Sequence, residues 1–399
     1  MTRALRRTSL ALAAVVGLAA VGFFDFVPAY MDGRLNRVAS HPPYVVSEAA
    51  TRLHRQLTIA DLHSDVLLWP RDLLRRNRRG HTDVPRLIAG NVALQVFSAV
   101  TKVPKRLNYE RNPGTSDQLT VLLVAQRWPP ATWTSLSQRA LYQARKLRAA
   151  AARSGGRLVL AESREDLQRF LARRAADQGM TAGVLSIEGL QALDGRLDIV
   201  DTLYIAGYRI MGLAHFFDNE VAGSAHGTAQ GGLTPLGRQV VQRMETLGIL
   251  VDLAHASPRT VDDVLAIARR PVVVTHTGVK GTCPGPRNLS DDQIRRIAAT
   301  GGVIGIGYWD GAVCEIDPAS IARAIRYTSR IAGTDHVALG SDFDGATRTY
   351  FDVSDLVLVT DALLAAGFRE DEIRRIMGGN VVRLLLNALP RTGQVADRR

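Results

Sequence analysis

Short apolar runs punctuate the chain from residue 57 onward, separated by amphipathic stretches. The runs are Leu57–His63, Val92–Ala99, Gly183–Glu188, Arg209–His215, Ile249–His255, Pro271–His276, Gly302–Gly307 and His336–Asp342. They are rich in Val, Ile and Leu and lack strict polar–apolar alternation. A strand with one wet face alternates with a period of two, whereas a strand covered on both faces need not. These runs therefore predict a parallel sheet buried on both sides.

Helix signals fill the gaps. Thr234-Pro235 opens Leu236–Leu247, and Gly248 closes it. Ser257-Pro258 opens Arg259–Arg270, and Ser290 with Asp291 and Asp292 opens Gln293–Thr300. Asp317-Pro318 opens Ala319–Ala332, closed by Gly333, and the last helices are expected over Ser354–Ala366 and Glu370–Leu386. Capping residues, proline at the first helical position and glycine past the end are the usual punctuation. Strand and helix alternating eight times predict a (β/α)₈ TIM barrel, with a doubly wound open sheet as the alternative. The connection 100–182 is long and is expected to hold two or three helices, among them Ser135–Arg153 and Ser163–Ala176. It reads as an elaborated loop. The expected boundaries are a signal or anchor helix at 1–29, a tether and lead-in at 30–55, the barrel at 56–390 and a tail at 391–399.

The N-terminus breaks this pattern. Arg3, Arg6 and Arg7 precede an uncharged run from Thr8 to Phe24, which Asp25 ends. The apolar part is about as long as the ~17-residue minimum for a membrane span. A cleaved signal peptide with a weak site near Val27-Pro28-Ala29, a twin-arginine signal and an uncleaved anchor all fit. A buried core helix fits less well. The anchor is the favoured reading, with the arginines in the cytoplasm and the barrel outside. The C-terminus ends Ala396-Asp397-Arg398-Arg399, with no hydrophobic tail for a lipid anchor.

Composition adds limits. The 50 Lys and Arg outnumber 38 Asp and Glu, a formal charge of +12. The basic residues are dispersed over helices and are not interleaved with stacking aromatics, so nucleic acid is not an expected partner. The two cysteines, Cys283 and Cys314, form no C-x-x-C motif. In an exported chain such a pair reads first as one disulfide, with two unlinked thiols as the alternative.

Ligand-type side chains fall at the ends of the runs. His63 and Asp65 end the first, Glu188 the third, His215 the fourth, His255 the fifth, His276 the sixth and Asp342 the eighth. Barrel active sites sit at the strand C-termini, so these residues would converge on one mouth. His63 and Asp65, two apart in an extended strand, point to one side. Imidazole and carboxylate suit zinc, and Glu188 has two oxygens with which to bridge two metals completed by His255 and His276. Asp342 then suits a general base and acid, with Asp344 as its rival, and His215 is free to stabilise an oxyanion.

In these blocks the chain resembles the membrane (renal) dipeptidase family. The blocks are Asp61-Leu62-His63-Ser64-Asp65, Ser186-Ile187-Glu188-Gly189, Gly248 to Ser257, Pro286-Arg287-Asn288, Gly340 to Gly345 and Gly378-Gly379-Asn380. The resemblance covers about residues 57 to 386. It implies hydrolysis of dipeptides by two zinc ions in a (β/α)₈ barrel. By it, His63, Asp65, Glu188, His255 and His276 hold the metals, Asp342 is the acid/base and His215 polarises the substrate. Arg287 takes the substrate carboxylate, for which an arginine fork is suited, and Asn288 lies beside it at the substrate end. The family's cysteine pair in two neighbouring loops implies a Cys283–Cys314 bridge. The segment after His215, reading Phe216-Phe217-Asp218-Asn219-Glu220, departs from the animal enzymes, and so does 100–182. Another metal-dependent amide or lactone hydrolase on the same barrel, and a non-catalytic exported binding protein, are the rival readings. Dipeptide preference and a homodimer are left open by the sequence.

Overall fold

The expected strands all form, and they close on themselves. In the computed structural model, which describes residues 3–393, they are β1 (Ile59–Ser64), β2 (Val92–Val100), β3 (Thr181–Glu188), β4 (Tyr208–Gly212), β5 (Leu250–Asp252), β6 (Val273–Thr277), β7 (Val303–Ile306) and β8 (Val337–Leu339). Their order is β2-β1-β8-β7-β6-β5-β4-β3, every neighbour is parallel, and a β2–β3 pairing completes the ring. The register of that pairing runs from Leu94 opposite Ala182 to Val100 opposite Glu188. Every residue of these strands is buried, which is why the sequence showed runs rather than alternation. Alternate positions still divide by direction. Leu62, Val96, Val184 and Ile210 belong to one cluster, joined by Val381 and Leu384 of the last helix, while Phe97, Leu185, Ile187 and Met211 pack with the surrounding helices.

The caps act as read. Thr234, Ser257, Ser290 and Asp317 each accept a backbone N–H three residues on, at the starts of helices Pro235–Leu247, Pro258–Ile267, Asp291–Ala299 and Pro318–Ala332. The long connection holds Leu119–Ala125, Ala131–Thr134, Leu136–Arg153 and Arg164–Ala176. It also holds a short strand, Leu158–Leu160, that the sequence pattern did not suggest; it pairs with the first residues of β3. A run of three apolar residues carries too little periodicity to stand out.

The N-terminal helix Arg3–Val21 runs through a wide turn, Gly22–Phe26, into Val27–Leu35. The stretch Leu12–Leu35 is long and apolar enough to cross a membrane, and Leu12, Val15, Val16, Leu18 and Val21 are exposed. Within the expected tether and lead-in at 30–55 the first residues do more than tether. Residues 30–38 are folded onto the barrel: Asp32 is fully buried, with its carboxylate 3.0 Å from Arg71 Nε, and Arg37–Val38 pair in parallel with Arg348–Thr349. A buried carboxylate holds its place only with such a partner. The expected tail at 391–399 lies, from 394 on, outside the described residues.

The lead-in helix Glu48–Arg55 is capped by Ser47 and ties to the barrel through His54. Its Nδ1 lies 2.8 Å from Thr360 Oγ1 and its Nε2 donates toward Gly90 O at 3.2 Å. Burial pushes the His54 imidazole down to about 4, against the Gly90 carbonyl. The unfolded value is near 6.5, so between the two the unfolded chain binds a proton that the folded chain refuses. Stability is therefore lost as pH falls from about 6.5 to about 4, and this histidine accounts for roughly 3 kcal/mol of the loss. Denaturant unfolding at pH 7 and pH 4 should show a smaller difference for His54→Gln than for the wild type. An unchanged difference would refute the assignment.

Candidate metal centre and active site

The barrel brings its ligand-type residues to one mouth around the carboxylate of Glu188, the last residue of β3. Glu188 Oε1 lies 3.2 Å from His63 Nε2, 3.3 Å from His255 Nε2 and 3.1 Å from His276 Nε2, and Oε2 lies 3.1 Å from His215 Nε2. Asp65 Oδ1 stands 3.4 Å from His63 Nε2. Ligand atoms gather in three overlapping sets: His63, Glu188 and His276; Glu188, His215 and His255; His63, Asp65 and Asp342. His215 and Asp342, expected in non-ligand roles, therefore stand as close to the centre as the expected ligands do. All of these side chains are buried.

The strands end sooner than the sequence suggested for three of them. His63, Glu188 and His276 lie on strand residues, but His215, His255 and Asp342 each follow their strand by three residues. His255 and Asp342 take left-handed backbone, with φ of 62° and 58°. Non-glycine residues seldom do so, and such strain clusters at functional sites.

The residues behind the ligands fix their ring states. Thr275 Oγ1 donates to Asp252 Oδ2 at 2.6 Å, so that oxygen accepts from His276 Nδ1 at 3.0 Å and from His63 Nδ1 at 3.3 Å. Both rings then carry a proton on Nδ1 and turn Nε2 to the centre, the atom a metal ligand needs; in the protein alone burial works against charge on His63, but Asp65 and Glu188 outweigh it and hold that imidazole well above the usual range, so a cation at the centre would take the place of its second proton. Burial holds His255 and His276 well below the usual imidazole range, with Arg287 adding to it at His255 and His63 and then Arg287 at His276, so both are neutral. Burial opposes charge on Glu188, but His215 and His63 outweigh it and hold the carboxyl well below the usual range. His63 Nε2 and Asp65 Oδ1 are buried without a hydrogen-bond partner, and the donor set of imidazole and carboxylate fits a divalent cation. Neither Thr275 nor Asp252 stood out in the sequence. Asp252 left one trace, a carboxylate inside an apolar strand.

Asp342 and Asp344 separate clearly. Burial, with the charges of Asp65 and Glu188, pushes the Asp342 carboxyl well above the usual range, against the pull of His63 and Arg287. Asp344 is instead saturated: it is ion-paired with Arg71, Nη2 at 2.6 Å, and accepts from His81 N at 2.8 Å and Thr82 N at 3.0 Å. Burial opposes its charge, but Arg71 and His81 hold it well below the usual range. Asp344 is a strut. Gly345 follows with no room for a side chain, because a Cβ there would lie 2.1 Å from Asp342 Oδ1.

Arg287 reaches the centre, its Nη2 lying 3.0 Å from His255 Nε2 and its guanidinium stacked 4.7 Å over Trp309. Its Nη1 is buried with no partner among the described residues. Asn288 is a correction to the sequence reading. It does not line the cavity, because Nδ2 donates to Cys283 O at 2.7 Å and Gly311 O at 3.0 Å while Oδ1 accepts from Gly278 N at 3.1 Å. It joins the two loops that Cys283 and Cys314 also join; the two cysteines are bonded, with Cα atoms 5.5 Å apart. The cavity is about 460 Å³, within the range of small-ligand sites, and Asp65, Glu188, His215, His255, Arg287 and Asp342 border it.

A sequence model of the membrane dipeptidase family (Peptidase family M19) matches residues 47–393. The chain belongs to that family. Membrane dipeptidases are peptide-bond hydrolases with a metal centre, and the ligand sets above lie inside the matched region. A Klebsiella pneumoniae protein described as an uncharacterized protein in the pqqA 5' region is 34% identical over 251 residues, 59% of this chain and 91% of that one. Among solved structures, the probable dipeptidase PvdM from Pseudomonas aeruginosa superposes with a TM-score of 0.71 at 21% identity, over 88% of this chain and 98% of that one. A Rhodobacter sphaeroides metallopeptidase, liganded with a phosphinate mimic of the dipeptide L-Ala-D-Ala, gives 0.65 at 24% identity, over 84% and 99%.

Thr275 offers a test of this dipeptidase centre. Thr275→Val keeps the volume but removes the acceptor of two ring protons. Metal affinity should fall roughly 10- to 100-fold, read by competition with a chromophoric chelator. Unchanged affinity in the folded variant would show that the rings are oriented some other way.

Proposed function

We propose that the chain hydrolyses dipeptides at a dinuclear zinc centre, His63 and Asp65 holding one ion, His255 and His276 the other, and Glu188 bridging them. The observation that carries this reading is the Glu188 carboxylate, met by four imidazole nitrogens, beside an arginine with an unpaired buried arm. Two bound cations supply Lewis-acid polarisation of the scissile carbonyl and of the attacking water.

The protein's own groups do the rest. Arg287, braced by Trp309, offers Nη1 to the free carboxylate of the substrate and so sets the register of the peptide. Asp342 stands beside His63 and Asp65 at the cavity wall, where its carboxylate takes a proton from the attacking water and returns it to the leaving amine. His215 Nδ1 donates to Lys102 O at 3.3 Å, which turns Nε2 to the Glu188 side of the cavity; a second proton, carried on Nε2, is what this ring offers to the developing oxyanion. The dipeptide mimic bound by the Rhodobacter sphaeroides protein supports a substrate of this size.

The N-terminal helix anchors the enzyme in the cytoplasmic membrane in this reading, with the barrel of 56–390 outside. The arginines ahead of the apolar run support that orientation, and the Cys283–Cys314 bond supports an oxidising compartment.

If Arg287 binds a carboxylate, dipeptides should be cut and their C-terminal amides largely spared. The expected loss is about 30- to 1000-fold in kcat/KM, and equal rates on acid and amide would sink the assignment. Asp342→Asn should keep two metal ions per chain, by elemental analysis, while turnover falls by about 100-fold or more. Loss of metal in that variant would make Asp342 a ligand instead.

A further inference from the structure

The cavity does not stop at the metal centre. It is lined as well by Leu68, Trp69, Val100 and Leu122, and by Met31 and Leu35 of the helix Val27–Leu35. These two lie one helical turn apart, face the same way and pack half-buried on the cluster around Trp69. Both precede residue 47, where the match to the family begins.

The adjoining ridge of this helix pins it. Asp32 pairs with Arg71, whose Nη2 in turn lies 2.6 Å from Asp344. Asn36 donates to Asp32 at 2.9 Å and accepts from Ala346 N at 3.0 Å. The wall is thus held by buried polar contacts to the loop that carries Asp342, and it is not a loosely draped segment.

Strand order gives the wall a place along the substrate. Arg287 follows β6, while Val100 ends β2 and Asp65 follows β1. In a ring of eight strands β2 and β6 stand opposite one another. A dipeptide with its carboxylate at Arg287 and its amide over Glu188 therefore extends its N-terminal residue toward Asp65 and the apolar wall.

We infer that Met31 and Leu35 are specificity-determining residues, and that the enzyme selects dipeptides whose N-terminal residue carries a large apolar side chain. This rests on the dipeptidase reading above. An apolar subsite distinguishes ligands by the methylenes it buries, each a factor of about 10 or more in favourable cases.

The test compares kcat/KM for Leu-Ala and Gly-Ala, using the full-length, metal-loaded protein in detergent. The wild type should favour Leu-Ala by about 10-fold or more. Met31→Ala/Leu35→Ala should reduce that ratio by about 10-fold, chiefly through KM for Leu-Ala. Leu35→Phe fills the wall instead of emptying it, and should shift preference from Phe-Ala toward Ala-Ala. A wild-type ratio near one, an unchanged ratio in both variants, or an equal fall on both substrates overturns the inference while leaving the dipeptidase reading in place. Failure of the wild type to cut any of these dipeptides overturns the dipeptidase reading itself, and this inference with it.

Discussion

The geometry of this molecule turns on one buried carboxylate. Glu188 is carried to the mouth by β3, level with the end of β2, and imidazoles from four further strands close on its two oxygens. Asp65 and Asp342 add two more buried carboxylates within the same few ångströms, and Arg287 is the permanent cation in contact with the group. Carboxylates at such spacing cannot all ionise without nearby positive charge. The upward push on Asp342 comes first from burial, and the charges of Asp65 and Glu188 add that conflict to it. In the protein alone a proton on His63, favoured by Asp65 and Glu188, relieves part of it, and a cation shared by the histidine nitrogens and the carboxylates would relieve the rest. The ring orientations set by Thr275 and Asp252 belong to the same design, because they decide which nitrogen faces the centre.

Much of this could be read in advance, for physical reasons. Strands covered on both faces must be apolar throughout, so the barrel announced itself as eight runs. A ligand-type residue ending such a run stands out against it, as His63, Glu188 and His276 do. The caps were equally plain, since Thr234 or Asp317 followed by proline leaves few alternatives. What escaped depended on partners distant in sequence. Asp344 stood as the rival to Asp342, and Arg71, His81 and Thr82 saturate it. Asn288 looked like a neighbour of the substrate, and its amide turned out to stitch two loops together. No periodicity marks Thr275. The left-handed turns at His255 and Asp342 are invisible because neither is glycine.

The loop after β8 shows how far the site reaches beyond its own residues. Asp342, Asp344 and Ala346 all take positive φ, at 58°, 65° and 59°, an unfavourable sequence of conformations for residues with side chains. Such a loop keeps its shape only where its surroundings over-determine it. Thr347 Oγ1 donates to Asp342 O at 2.7 Å, and Trp69 Nε1 donates to Asp344 O at 2.7 Å. Arg71 and two backbone amides hold the Asp344 carboxylate, and Asn36 holds the Ala346 amide. Two of these restraints lead directly to the N-terminal helix, since Arg71 shares its charge with Asp32 and Asn36 ends that helix. The segment between the exposed apolar helix and the barrel is therefore part of the frame that aims Asp342. A change there would reach the Asp342 carboxylate through two buried contacts, without touching any of the histidines around Glu188. The apolar N-terminal helix and the loop that holds Asp342 are mechanically one piece.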